Sequence, residues 1–421
     1  MAGKKDKGFF ATTETDIQEL VPSDPKTWCI ALNRNNPEWI KVTAQMHDHA
    51  MTLAGVPSSS FYSDARTHVH VMVAVAAYYG FDAGRGSYDS YNIEAEALGQ
   101  KMIYSPSAMP TVDNRQPLIN AKEDLAKLRV PDWLNAGRVR FALDVIKMNA
   151  GLGLNRGYFC APFSLAVLLR SYSRLIRDMR RDPEFAHDLF SFIVDEVLPS
   201  YLALQKEYCG TDVGLGSDAW AAFPNMTPDL LEEWVVPYTR RLNDNLKKQN
   251  QSALFVAGAD YCEMRTDCFS AEIMGQCLDI QRKFMGGAPV FILGMGAWDK
   301  YPLEAVQEYL EPLKREGTRA VITCGVPAQL LRNGPTIAIQ ETIRRMIDAF
   351  ARDHNISFWL ANIPSDTPSD HIHAAVAAIH QYGRLPIAKH LEDIEVEVPE
   401  REPLHEFIEK ISEGAGLGLE L

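Results

Sequence analysis

The fold is decided by four short apolar runs, ALFVAGA (253–259), PVFILGM (289–295), RAVITC (319–324) and ISFWLA (356–361). Each has the length of a buried strand. The amphipathic stretches at about 300–316 and 336–353 have the length of helices. A regular alternation of strand and helix favours a parallel sheet covered by helices.

The same alternation extends towards the amino terminus. We predict further strands within 87–99, 155–163 and 212–219, and a helix over 67–79 that ends at Gly80, a residue suited to a helix C-terminus. The whole pattern predicts an α/β protein with a (β/α)8 TIM-type barrel and an N-terminal helical extension. We assign residues 1–60 to that helical and loop extension, 61–390 to the barrel and 391–421 to an acidic C-terminal tail.

Composition narrows the class of protein. The 421 residues are 46% hydrophobic and 23% charged, as expected for a globular chain with a large core, and the net charge is −13. An acidic surface repels nucleic-acid backbones and anionic lipids, so we expect neither as a partner. No apolar stretch reaches about 18 residues, and seven cysteines give no disulfide framework. We therefore expect a cytoplasmic protein without membrane spans.

Barrels carry their chemistry where the strands end, at the carboxyl face. Asp218 ends the run GLGSD and is the first candidate for acid–base work. Glu94 and Glu96 alternate in a predicted strand, which would place both on one face, where paired burial raises each pKa. The alternative for all three is a capping or loop carboxylate.

Other chemistry-bearing residues fall near predicted strand ends. Trp220, Cys324, Asn362 and Cys160 are candidates for substrate binding, although both cysteines also suit a purely apolar, buried role. Asp260, Cys262 and Glu263 belong to the densest group of possible metal ligands, which suggests zinc. Their spacing matches no recognised zinc motif, so an ordinary polar loop is the alternative.

Several segments, in order and over about residues 60–385, resemble the uroporphyrinogen decarboxylase superfamily, which also contains corrinoid-dependent methyltransferases. The segments are YGFD (79–82), YNIEAEALG (91–99), APFSLAVLLR (161–170), IRDMRRDPE (176–184), GSDAWAAFPNMTPDLLEEWVVPY (216–238), CGVPAQLLRNGP (324–335) and ANIPSDTPSDHIHAAVAAIHQYG (361–383). The resemblance implies the barrel fold and a site at its mouth.

The sequence also departs from the family's patterns. The arginine-rich loop that porphyrin decarboxylases use to hold carboxylates has no counterpart in CIALNRNNPEW (29–39). Their catalytic aspartate corresponds to Ser90, with Asp89 adjacent, and a shift of one along a strand would turn that aspartate to the other face. The His-x-Cys pair and later cysteine of the zinc-dependent thiol methyltransferases are missing too, the latter from LANIPSDTP (360–368).

The resemblance and the departures together predict a methyltransferase component. It would move a methyl group between a small substrate (a methoxyaromatic, a methylamine or a thiol) and a corrinoid, cobalamin, carried on a separate protein, with zinc as a possible further cofactor. One alternative is a decarboxylase of the same fold, a lyase acting on a carboxylated substrate. Another is a non-catalytic barrel that binds a small molecule. The family often forms homodimers, which makes a homodimer possible.

Overall fold

The computed structural model describes residues 38–82, 89, 91–256, 270–293 and 303–412, with the side chains of 409–412 left aside. Nine short strands lie within these ranges. They are β1 (Val42–Ala44), β2 (Met102–Ile103), β3 (Thr111–Val112), β4 (Gly157–Cys160), β5 (Val213–Ser217), β6 (Ser252–Val256), β7 (Val290–Leu293), β8 (Val321–Cys324) and β9 (Asn355–Leu360).

Helices separate the strands. In chain order they are α1 (His47–Ala54), α2 (Ser58–Phe61), α3 (Ala65–Tyr79), α4 (Ile93–Ala97), α5 (Lys122–Lys127), α6 (Val139–Gly151), α7 (Pro162–Arg170), α8 (Tyr172–Arg181), α9 (Pro183–Phe192), α10 (Leu198–Cys209), α11 (Pro228–Trp234), α12 (Val236–Lys247), α13 (Ala271–Phe284), α14 (Leu303–Arg315), α15 (Ala328–Asn333), α16 (Thr336–Phe350), α17 (Ser369–Tyr382) and α18 (Leu404–Ser412). Among the described residues, no helix is long and apolar enough to cross a membrane.

Seven of the strands are parallel and form the barrel wall. One sheet has the order β1-β9-β8-β7 and the other the order β4-β5-β6, while β2 and β3 make a separate antiparallel pair. Helices follow the parallel strands and cover their outer face, so the predicted (β/α)8 TIM-type class is confirmed. The strand predicted within 87–99 is wrong in its described part, because Ile93–Ala97 forms helix α4.

The barrel begins earlier in the chain than the predicted boundary at residue 61. β1 starts at Val42 and pairs with β9, with Val42 opposite Phe358. The helix predicted over 67–79 is α3, and it ends at Gly80 with φ +77°. In the C-terminal tail, α18 packs on α3 and α1, and the rings of Phe407 and Tyr78 lie 5.4 Å apart. The tail therefore covers the outside of the first barrel helices.

Side-chain amides from helices close the open edges of the two sheets. Gln205 of α10 accepts from the Tyr158 backbone N–H (3.1 Å) and donates to its carbonyl (2.7 Å) at the edge of β4. Asn243 of α12 makes the same two bonds to Ala253 of β6, and Gln281 of α13 makes them to Ile292 of β7. Buried backbone groups need such partners, so these amides stand in for a neighbouring strand.

Alternate strand residues face the helices or the barrel interior. Phe159, Gly216 and Phe255 share a register row and are buried against the helix layer. The next row towards the mouth, Cys160 and Ser217, lies on the interior side. Position 216 requires glycine, because a Cβ there would lie 2.5 Å from Cζ of Phe159. The glycine therefore admits the aromatic ring that seals β4 against β5.

Replacing Gly216 with alanine is expected to destabilise the protein by about 1–3 kcal/mol, since the added methyl overpacks a rigid ring contact. The matched control is Gly275→Ala. Gly275 lies inside α13, and the atom nearest to a Cβ added there would be 3.9 Å away. Alanine is also more favourable than glycine inside a helix, by about 0.5–1 kcal/mol. Urea denaturation of both variants measures the difference. Equal stabilities for the two would contradict the packing assignment.

Candidate active site

Glu94 is held at the carboxyl end of β4 by a short helix. α4 packs on α6, α7 and β4, and it buries the Glu94 side chain completely. Oε1 accepts a hydrogen bond from the Cys160 backbone N–H at 2.8 Å, at the open edge of β4. Glu94 therefore occupies the place that a neighbouring strand would take beside Cys160.

The second oxygen of Glu94 has a different environment. Oε2 is buried, and no residue in the described ranges donates a hydrogen bond to it. Burial raises the pKa of Glu94 to about 8, with a further rise from Asp89 and an opposing effect from the Cys160 N–H. A carboxyl of this kind holds a proton at neutral pH and can release it to a bound molecule.

Glu96 does not share this position, contrary to the prediction. The side chains of residues i and i+2 in a helix point in directions about 200° apart, whereas in a strand they would lie on the same face. Oε2 of Glu96 accepts from Nε of Arg138 (2.8 Å), and Oε1 accepts from the Tyr104 hydroxyl (2.5 Å). Glu96 is thus an ion-pair partner on the outer side of α4 and is removed from the candidate site.

Asp89 fixes the start of α4. Its Oδ1 accepts from the backbone and side-chain nitrogens of Asn92, at 3.1 and 2.7 Å, and Oδ2 accepts from Nη2 of Arg138 at 2.5 Å. Asp89 is wholly buried and Arg138 nearly so. The expectation that Asp89 turns away along a strand is corrected, because the carboxylate anchors a helix start and is neutralised by Arg138.

Cys160 lies close to both Glu94 and Asp218, and Tyr91 lies close to Cys160 and Asp218. Cys160 is fully buried, and burial together with the nearby Glu94 and Asp218 carboxyls raises the pKa of its thiol well above the usual range. The Tyr91 hydroxyl is hydrogen-bonded to the side chains of Ser217 and Gln45, and burial raises its pKa. A protonated thiol and a neutral phenol therefore line the interior beside the two carboxyls.

Asp218 lies where the sequence predicts, directly after β5, and is buried. Its backbone N–H continues the ladder to Val256 of β6 (3.0 Å). Its carboxyl spans the start of α7, accepting from the N–H of Ser164 (2.7 Å) and of Phe163 (3.4 Å). Burial raises its pKa to about 7, although these bonds oppose the rise. The contacts describe a carboxyl that ties β5 to α7.

The predicted substrate-binding residues fall in different places. Trp220 stacks on Tyr172 with ring centroids 5.3 Å apart, and both rings are partly exposed just past Asp218. Asn362 is exposed, has a left-handed φ of 52°, and follows β9 beside the backbone of Gln45. The prediction that Cys324 binds substrate is corrected, because Cys324 shares a buried row with Leu293 and faces the helices.

Metal ligands were predicted at Asp260, Cys262 and Glu263, which lie outside the described residues. Within the described ranges, no group of three or more histidine, cysteine, aspartate or glutamate residues is placed to hold a metal ion. Tyr91, Gln45 and Arg138 were not among the predicted site residues, because their roles depend on partners far away in the chain. Tyr91 stands three residues before Glu94, and this spacing within one helical turn was the available hint.

Taken together, the fold and this cluster define an α/β barrel with buried, protonated groups at the carboxyl ends of its strands. The chain belongs to the family of uroporphyrinogen decarboxylase (URO-D), whose family model matches residues 33–382. The matched range covers more than three quarters of the chain and contains the positions of Glu94, Cys160 and Asp218.

Curated relatives and a solved structure agree with the family. Uroporphyrinogen decarboxylase of Myxococcus xanthus is 30% identical over 140 residues, 31% of this chain and 38% of that protein. The enzyme of the same name from Geobacter sulfurreducens is 26% identical over 191 residues, 43% of this chain. That match spans about half of the relative's length, 53%.

A methyltransferase from Methanosarcina mazei has the same fold, with a TM-score of 0.59 at 17% identity. The alignment covers 84% of this chain and 97% of the other. Decarboxylases and a methyltransferase thus share this fold, and this chain belongs to a family of enzymes. The choice between the two reactions depends on the site.

Proposed function

We propose that this protein is a methyltransferase component that moves a methyl group between a small neutral or cationic substrate and a corrinoid carried on a separate protein. The observation that carries the proposal is the buried Glu94 carboxyl, whose Oε2 has no donor among the described residues and whose pKa is raised to about 8. Such a group supplies the proton that demethylation requires.

The proton balance of methyl transfer fits Glu94. When the bond between a methyl carbon and an oxygen, nitrogen or sulfur breaks, the heteroatom keeps the electron pair and becomes a stronger base. Glu94 Oε2–H then gives its proton to that atom, and the reverse reaction returns it. The corrinoid would supply the methyl acceptor, and the zinc site at Asp260, Cys262 and Glu263 stays a prediction because these residues lie outside the described ranges.

The charges near Glu94 favour a substrate without carboxylates. No cation is among the groups that act on Glu94, Cys160 and Asp218 within the described ranges, and Arg138 is already paired with Asp89 and Glu96. A substrate carboxylate moved into this interior would lose its hydration without gaining a cationic partner, which costs free energy. A neutral or protonated methyl donor avoids that cost.

The supporting residues have separate roles in this proposal. Tyr91, held by Ser217 and Gln45, presents a hydroxyl that can orient the heteroatom. Asp218 positions α7 against β5 and so keeps Cys160 and Ser217 in register. The stacked Tyr172 and Trp220 supply an apolar wall at the mouth, where a small substrate would meet the corrinoid protein.

Decarboxylation is the second candidate, because the curated relatives carry that name. Protonation of a carbanion by Glu94 would serve that reaction too. The substrate would have to bring at least one carboxylate into the cluster of carboxyls just described. No unpaired cation in the described residues acts on this cluster, and the lack of a partner for that carboxylate places decarboxylation behind methyl transfer.

Two parallel assays separate the candidates. In the first, the protein is mixed with cob(I)alamin and, in turn, methanol, methylamine, methanethiol and methoxybenzene, and the corrin absorbance is followed for methylation. In the second, uroporphyrinogen is supplied and carbon dioxide is measured. Methylation supports the proposal, carbon dioxide release alone replaces it with decarboxylation, and no turnover in either assay leaves a non-catalytic binding barrel.

The pH dependence of methyl transfer should follow Glu94. Its pKa is raised in the folded protein, from the ordinary 4.5 to about 8, so the proton is present below pH 8 and is lost above it. We expect demethylation turnover to be level up to about pH 7.5 and then to fall about tenfold per pH unit. Folding stability should decline over the interval from about 4.5 to 8, because folding favours the protonated form. A turnover that rises through pH 8 would assign Glu94 the role of a base.

A further inference from the structure

A cavity lies at the opposite end of the barrel from Glu94. It has a volume of about 930 Å³ and is bounded by α12, α13, the first residues of β6 and the turn before β7. Ser252 begins β6, and Gly286 and Gly287 precede β7, so the cavity opens at the amino ends of these strands. It is therefore separate from the mouth, where the strands end.

This cavity exists because β6 and β7 do not pair within the described residues. Asn243 closes the edge of β6 and Gln281 the edge of β7, so a gap is left between the two helices that carry them. Leu254 of β6 is 40% exposed in that gap, and Met285 adds a second apolar side chain. The lining of the cavity is therefore partly apolar, and the organic part of a ligand can pack against it.

The walls of the cavity are basic, in a chain whose net charge is −13. Arg240, Lys247, Arg282 and Lys283 line it, against two carboxylates, Asp244 and Asp279. Both carboxylates are engaged. Asp244 pairs with Lys247 at 2.8 Å, and Asp279 accepts from the Tyr309 hydroxyl at 2.6 Å. Lys247 is thus paired within the lining and Lys283 pairs with Glu232, so the positive charge without an ion pair in the described residues comes from Arg240 and Arg282.

Arg282 lines this cavity, and one of its donors is unused. Its Nε is buried and has no hydrogen-bond partner among the described residues. The rest of the guanidinium is fixed, by a bond with Tyr309 and by a long bond from Nη2 to the Gly287 carbonyl (3.5 Å). Arg240, one helix away, is exposed, and no ion pair joins it to a described residue. A buried N–H without an acceptor is costly unless a ligand supplies one.

We infer that this cavity is a binding site for a small phosphate ester, with the phosphate on Arg282 and Arg240 and the organic part on Leu254 and Met285. Guanidinium groups match phosphate oxygens in geometry and charge. A volume of about 930 Å³ lies within the usual range for small-molecule sites. The site is independent of the proposed methyl transfer, so either can fail without the other.

Binding of adenosine 5′-monophosphate, with inorganic phosphate and sulfate in parallel, tests the site by titration calorimetry on the full chain. We expect saturable binding of the ester that weakens at least tenfold in Arg282→Gln, as loss of a charge-assisted bond predicts. Arg240→Gln, a change at an exposed side chain, should weaken it severalfold without affecting folding. Arg315→Gln on α14 is the matched control outside the cavity and should leave binding unchanged.

The alternatives give distinct results. Equal affinity for sulfate and the ester would overturn the phosphate-ester assignment and leave a general anion site. Binding that survives both Arg282→Gln and Arg240→Gln, or that is lost in Glu94→Gln, would place the ligand elsewhere. Absence of saturable binding up to millimolar ester would remove the site. If Arg282→Gln does not fold, Arg240→Gln alone decides.

Discussion

Glu94→Gln is expected to lower methyl-transfer turnover by about 10²- to 10⁴-fold while the protein stays folded. Glutamine has the same shape, and its carbonyl oxygen can still accept the Cys160 N–H that now bonds to Oε1. What the amide lacks is a proton that it can release. Corrin absorbance under single-turnover conditions measures the loss of the chemical step.

Glu96→Gln is the matched control for this variant. Glu96 lies two residues away on α4 but faces Arg138 and Tyr104, so turnover should remain within about twofold of the native rate, while stability falls because the ion pair with Arg138 is largely buried. The Glu94 variant should also be more stable than the native protein above pH 8, because no charge is then buried. A Glu94→Gln enzyme that keeps more than half of its turnover would assign the proton to another group.

An infrared difference spectrum gives a readout that does not depend on activity. Native protein minus the Glu94→Gln variant should show the carbonyl stretch of a protonated carboxyl, which disappears as the pH rises through about 8. Absence of this band at pH 7 would mean that Glu94 is ionised. The acid role would then be rejected even if the variant were inactive.

The barrel was predictable from sequence because its strands are continuous apolar runs. β8 lies within the run at 319–324 and β9 overlaps the run at 356–361, and a continuous apolar run is the signal of a strand in a parallel sheet. Asp218 was placed correctly for the same reason, since a polar residue that ends such a run lies at the carboxyl face. Its bonds to Phe163 and Ser164 were not predictable, because they join distant parts of the chain.

The prediction for Glu94 and Glu96 failed at one step. Polar and apolar residues alternate in IEAEA (93–97), which fits a strand, but five residues are too few to distinguish period 2 from a helical turn. Asp89 favours the helical turn over a strand, because its carboxylate accepts a hydrogen bond from the Asn92 backbone N–H at the start of the turn. That local bond converts one glutamate into a buried acid and the other into an ion-pair partner.

The amides that close the sheet edges carry no sequence signal. Gln205, Asn243 and Gln281 lie within amphipathic helices, where a polar residue is ordinarily assumed to face water. Gln205 and Gln281 are nevertheless buried, and all three bond to strand backbone. The cavity between α12 and α13 follows from these bonds, so it too could be found only in three dimensions.

Arg138→Met is expected to have the largest effect on stability, about 3–5 kcal/mol of unfolding free energy. The guanidinium bonds Asp89 and Glu96 at once, and Asp89 is wholly buried. Without Arg138 the Asp89 carboxylate is left as an uncompensated charge in the interior, which is the costly case for a buried ion pair. Methionine keeps most of the side-chain bulk, so the loss reports charge rather than packing.

Lys122→Met is the matched control, since Lys122 pairs with Asp182 at an exposed position and should contribute at most about 1 kcal/mol. Urea denaturation at pH 7 measures both variants. Adding Asp89→Asn to Arg138→Met removes the stranded charge and should recover part of the loss, although the bonds to Asn92 weaken. Equal losses for Arg138→Met and Lys122→Met would contradict the assignment, because a buried carboxylate without its cation cannot cost as little as an exposed one.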